Sequence, residues 1–206
     1  MVTIYARRVV GRDLPNLIRH GRNAPLWVQR IWVDPRNLQR VVYGWRDKHS
    51  ALVIGGDWPY EPEVVTALPK VAAAMAHWQD GVPWEDTGVY GHVMGLIEER
   101  GAYDGCSKLD DVVGRYRRID TMFDQMRADG RLRTRRELSS RAFRERGGVP
   151  VHIGADLESV FSGNGQHRLA AALTLGFETM PAYVGVVHPN ALSQWKARYL
   201  RTPGSG

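Results

Sequence analysis

The clearest pattern in the chain is a run of apolar positions at spacings of three and four between residues 109 and 129. Val112, Tyr116, Ile119, Met122, Phe123 and Met126 share one stripe, which predicts an amphipathic helix. Ser107 or Asp110 stands where a cap would start it, and Gly130 where a left-handed turn would end it. Upstream, Leu26 to Val33, Arg40 to Trp45 and Ala51 to Ile54 read as strands, broken by Pro35 and by the turn Gly55-Gly56-Asp57-Trp58-Pro59. Together they predict a hairpin-like N-terminal region. Residues 61–101 predict helix in pieces, punctuated by Pro69 and Pro83. Val89, Val93, Leu96 and Ile97 share a face there, and Gly101 is the stop. Trp78 and Trp84 read as core.

Residues 131–148 are basic and polar and predict a short helix or a loop. Val149 to Ile153 and Glu158 to Phe161 then read as two strands joined by Gly154-Ala155-Asp156. A helix from about His167 to Leu175 ends at Gly176, Pro181 precedes a strand over 182–187, and 191–200 predicts a last short helix. These strand and helix signals together lead to an expected α/β (α+β) fold class.

Composition narrows the class. Hydrophobic content of 43% and charged content of 24% are those of a globular protein. No apolar run approaches the roughly 18 residues of a membrane span, and the first twelve residues lack a signal-peptide pattern. A cytoplasmic protein with no membrane partner is the expectation. The single cysteine, Cys106, excludes an internal disulfide or a multi-cysteine zinc site. Gly204-Ser205-Gly206 reads as a flexible tail. The net charge of +6 suits an anionic partner. Eleven arginines crowd residues 115–146, a candidate nucleic-acid surface or a solvated helix face partly offset by acids such as Asp120, Asp124, Glu137 and Glu145.

The most chemically suggestive stretch is Ser162-Gly163-Asn164-Gly165-Gln166-His167-Arg168, which runs into Leu169-Ala170-Ala171-Ala172-Leu173. A strand entering a glycine loop that opens into a helix can turn several N–H groups toward one anion. The helix dipole and Arg168 would reinforce them. The alternative is a tight turn that needs glycine only for its backbone.

Residues 109–188 resemble the ParB/sulfiredoxin superfamily. The resemblance rests on Gly165-Gln166-His167-Arg168, on Leu169-Ala170-Ala171-Ala172-Leu173-Thr174-Leu175-Gly176, on Met180-Pro181-Ala182-Tyr183-Val184 and on the glycine-ended helix at Phe123 to Gly130. The whole chain looks like a subgroup of ParB-like proteins with an added N-terminal region. It implies a small mixed sheet with flanking helices and an N-terminal strand and helix extension, and a division into an N-terminal extension, 1–106, and a nucleotide-binding domain, 107–203. It also implies phosphate binding at the glycine loop. Sulfiredoxin chemistry is not expected, because Gln166 stands where that enzyme has its cysteine. A DNA-reading domain after the fold is not expected either, with about 18 residues beyond His188. Kinase-like members carry an acid in the loop where this chain has Asn164.

On that resemblance, Gly163, Asn164, Gly165, Gln166, His167 and Arg168 would hold the phosphates of ATP or another nucleoside phosphate, with Mg²⁺ riding on the nucleotide. Arg115 and Arg118 can reach the same phosphates, or stay solvated or paired with Asp111 and Glu98. His167 would donate to phosphate or shuttle a proton. Asp111 is the candidate base, or else a first-turn acid favoured by the helix dipole. The expected function is a phosphotransferase or ATPase acting on a small-molecule or protein hydroxyl. The alternative is a DNA-associated or regulatory nucleotide-binding protein without catalysis.

Overall fold

A computed structural model describes residues 2–201, so the Gly204-Ser205-Gly206 tail lies outside the described residues. The chain runs through α1 (Val2–Arg8), a π-helical turn (Val9–Asp13), α2 (Leu14–His20), β1 (Arg30–Val33), β2 (Arg40–Val41), α3 (Pro69–Asp80), α4 (Val89–Arg100) and α5 (Leu109–Asp129). It continues through α6 (Arg135–Leu138), β3 (Val149–Ile153), β4 (Ser159–Phe161), α7 (Gln166–Thr174), β5 (Met180–Val187) and α8 (Trp195–Tyr199). The fold is mixed α/β, with two compact units. One takes the chain up to Val65, Arg133–Gly165 and Glu178 onward, and the other takes Thr66–Leu132 and Gln166–Phe177. The first holds all five strands and the second holds α3, α4, α5 and α7. Among the described residues no helix is long and apolar enough to cross a membrane.

In the sheet unit the strand order is β1-β5-β3-β4-β2. Central β5 is buried along all eight residues, as a strand covered on both faces must be. It pairs antiparallel with β1 and parallel with β3. The expected N-terminal hairpin does not form. Asp34 caps a 3-10 turn at Pro35–Asn37, and β1 and β2 then add to opposite edges, against β5 and β4. The apolar Ile31 and Val33 find their core on β5, not on a local partner. The strand signal over Ala51–Ile54 survives as a single parallel bridge, Val53 to Val187. Residues 2–20, which carried no helical expectation, form α1, the π turn and α2. Buried Asp13 anchors this region, accepting from the Trp27 N–H at 2.6 Å and pairing with Arg144 at 2.7 Å.

His152 interrupts the β3–β5 ladder. The register shifts between Val151 and Ile153, and the Val186 N–H donates to His152 Nδ1 at 2.9 Å. A side chain thus satisfies a main-chain donor at a bulge. The neighbouring residue has to be glycine, because a Cβ on Gly185 would lie 2.1 Å from His152 Nδ1. The imidazole stands edge-on to Trp45, with ring centres 5.1 Å apart.

In the helical unit, α5 spans the predicted residues. Val112, Tyr116, Ile119, Phe123 and Met126 are buried, and Gly130 takes the left-handed C-cap. Neither Ser107 nor Asp110 caps its start. Lys108 holds the N-cap position, and Asp111 reaches back to accept from Ser107 N–H and Oγ–H, both at 3.0 Å. Asp120 on α5 gathers two indoles, accepting from Trp78 Nε1 at 3.1 Å and Trp84 Nε1 at 2.9 Å. Trp78 also stacks on Phe123.

Candidate anion-binding site

The site begins with Lys70 on the first turn of α3. Pro69 starts that helix, and Val71, Ala73 and Ala74 that follow are buried. Lys70 is carried inward with them, and its side chain is only 7% exposed. A buried ammonium needs partners. Tyr103-Asp104-Gly105-Cys106 supplies them as a two-residue hairpin, with Tyr103 and Cys106 exchanging both main-chain hydrogen bonds. Asp104 and Gly105 both have positive φ, +53° and +77°, the conformation a type I′ turn demands and an Asp-Gly pair tolerates. Lys70 Nζ donates to Asp104 Oδ2 at 2.5 Å and to the Tyr103 hydroxyl at 3.0 Å.

Arg115, on the second turn of α5, closes on the same hairpin. It donates to the Asp104 carbonyl at 2.9 Å and to Asp104 Oδ2 at 3.3 Å. Burial alone would raise the Asp104 pKa. The Lys70 hydrogen bond and charge, with Arg115 behind them, outweigh that and hold it below the ordinary range. His167, on the first turn of α7, shares this environment, with the Tyr116 ring edge-on to it at 5.3 Å. Burial, reinforced by Lys70 and Arg115, brings its pKa down to about 3, so its imidazole is neutral at pH 7. Three buried polar atoms of the cluster have no hydrogen-bond partner among the described residues: His167 Nε2, the Tyr116 hydroxyl and Arg115 Nε. Buried polar atoms are rarely left so without a reason.

The structure therefore brings His167 and Arg115 together and adds Lys70, Asp104 and Tyr103, which sequence reasoning missed. The Asp-Gly pair in an otherwise polar link was a signal for the turn, and a lone lysine within Pro69-Lys70-Val71-Ala72-Ala73-Ala74 was a signal for a buried charge. Gln166 and Arg168 occupy the same first turn of α7. Arg118 lies on the exposed side of α5 and makes no ion pair or hydrogen bond among the described residues. Asp111 is committed to Ser107, whose backbone and side-chain hydrogen bonds hold its carboxyl below the ordinary range.

Gly163, Asn164 and Gly165 belong to the sheet unit, so the predicted loop divides between the units at the Gly165–Gln166 bond. Both glycines have φ +83°. A Cβ on Gly163 would lie 2.2 Å from the Tyr43 ring, and one on Gly165 would lie 3.0 Å from Val149 Cγ2. Backbone conformation and close packing thus require glycine at both positions. The Asn164 N–H donates to Ser162 Oγ at 3.3 Å.

No protein-family model, curated protein or solved structure matches this chain.

Proposed function

We propose that this chain binds a nucleoside phosphate, with the phosphates held at the first turn of α7 by Lys70, Arg115 and Arg168. The observation that carries the reading is the Lys70–Asp104–Arg115–His167 cluster. Two cations share a single carboxylate there, and three buried polar atoms lack partners among the described residues. A surplus of positive charge with spare hydrogen-bonding capacity suits an anion of several oxygens. Neutral His167 offers such an anion a hydrogen bond without having to lose a proton. The α7 N-terminus adds the positive end of its helix dipole. The ParB/sulfiredoxin resemblance of Gly165-Gln166-His167-Arg168 points to the same ligand class.

The donor set fits phosphate and does not fit a protein-held Mg²⁺. Asp104, the cluster's carboxylate, is already bonded to Lys70 and Arg115, and no group of three or more metal-binding side chains occurs among the described residues. Mg²⁺ would arrive with the nucleotide.

Binding without turnover is the reading this geometry favours over a phosphotransferase or ATPase. Proton abstraction from a hydroxyl needs a base within reach, and the two groups expected to move protons are poorly suited to it. Asp111 is tied to Ser107, and His167 is too weak a base at neutral pH. Calorimetry with ATP, ADP, CTP and GTP in Mg²⁺ tests both readings. Arg168→Ala and Lys70→Ala should each lower affinity tenfold or more, and unchanged affinity in both would overturn the phosphate site. Phosphate release or transfer to a hydroxyl acceptor by the wild type would restore the enzymatic reading.

A further inference from the structure

The sheet unit carries a basic groove of its own. An open groove of about 520 Å³ is lined by Arg30, Trp32, Arg136 and Arg144, with Gln29 and Leu26. No acidic residue lines it among the described residues. Its floor follows from strand alternation. On edge strand β1, Ile31 and Val33 turn into the core, which leaves Arg30 and Trp32 together on the opposite face. The Arg30 guanidinium lies 5.8 Å from the Trp32 ring centre, and it makes no ion pair or side-chain hydrogen bond among the described residues. Arg136, on α6, spends one donor on the Ser140 carbonyl at 2.8 Å. Arg144 is held by Asp13 and the Trp27 carbonyl, which fixes that wall.

The charge extends beyond the groove. Residues 133–146 hold six arginines against two glutamates, Glu137 and Glu145. Both acids are engaged locally: Glu137 completes the capping box with Thr134, and buried Glu145 accepts from the Arg135 N–H at 2.8 Å. Neither lines the groove. This is more guanidinium than one phosphate group needs, and it is combined with an aromatic face on which a base can stack.

We infer that this groove binds single-stranded nucleic acid without sequence preference, its phosphates on Arg30 and Arg136 and a base on Trp32. The site is distinct from the Lys70 cluster and stands without the nucleotide reading. The test is fluorescence anisotropy of a labelled oligothymidylate of about a dozen nucleotides, between roughly 50 and 200 mM salt. Wild type should bind with a steep salt dependence. Arg30→Ala with Arg136→Ala should weaken binding at least tenfold and flatten the salt slope by about 0.7 for each phosphate left without its cation. Trp32→Leu should weaken binding several-fold and leave the slope unchanged. Arg168→Ala, in the other unit, should bind the oligonucleotide like wild type, which keeps failure here separate from failure of the nucleotide site. Absence of oligonucleotide binding overturns the inference, as does binding indifferent to the Arg30 and Arg136 changes. Equal competition by free thymidine monophosphate, at matched nucleotide concentration, also overturns it, because a mononucleotide would then be the ligand. Each variant is to be checked for native circular dichroism first.

Discussion

Two histidines, one in each unit, share a depressed basicity and keep different company. His152 in the sheet and His167 in the helical unit both have a pKa brought down to about 3, mainly by burial. Both have an Nε2 with no hydrogen-bond partner among the described residues. Yet His152 gives its Nδ1 lone pair to the Val186 N–H and is walled by indoles, whereas His167 faces Lys70, Arg115 and Asp104. Depressed basicity therefore does not by itself mark a site. The first ring completes a β-ladder, and the second sits where mobile charge can be received.

The comparison can be broken most forcefully at Gly185. Gly185→Ala should drive a methyl into the His152 ring and dislodge the Val186 hydrogen bond, costing about 2–4 kcal/mol in urea unfolding. A cost below roughly 1 kcal/mol would remove the structural role assigned to His152. Next comes Asp104→Ala, which strands a buried lysine. Because the Asp104 side chain is 32% exposed, water relieves part of the loss, and about 1–3 kcal/mol is expected. Adding Lys70→Met to that variant should recover stability, since the stranded charge is then gone.

pH separates the two units further. A histidine held neutral in the fold takes up its proton only in the unfolded chain as pH falls below about 6.5, so stability declines from there toward pH 3. The slope approaches about 1.4 kcal/mol per pH unit for each ring that stays neutral in the fold. Asp104 has the opposite chemistry but loses stability in the same direction. Its folded pKa is depressed, so its contribution is present above about pH 4 and is lost as pH falls further. Urea midpoints across pH 3–8 should show the histidine phase first and the carboxylate phase below it, and Asp104→Asn should shrink only the latter. The smallest effect is spectroscopic. Titrating inorganic phosphate should move the ring resonances of His167 and leave those of His152 in place; the reverse would exchange their roles.

What could be read from residues alone depended on the range of the interactions. Helix α5 was legible throughout, because its stripe and Gly130 are local. The pairing of β1 with β5 was not, because nothing in residues 26–54 names a partner so distant along the chain. Local signals favoured a hairpin instead. Arg115 and His167 were picked out by type and position, and the structure brings them together. Lys70 was missed because its burial depends on how α3 packs against α7, which no local pattern reports. The turn at Asp104 was within reach of the sequence, since Asp-Gly is a strong turn signal. The glycine loop read equally well as a phosphate cradle or as a tight turn. The close approach of Tyr43 and Val149 accounts for its glycines by packing.

The pairing of Arg30 with Tyr183 has a consequence for synthesis on the ribosome. About 150 residues must be translated after β1 before its partner strand exists, and closing so long a loop is slow. Throughout that interval Ile31, Trp32 and Val33 form a nascent strand without a neighbour, the kind of edge that captures other chains. Arg30 before this apolar run, and Asp34 and Arg36 after it, place charged groups beside it while it waits.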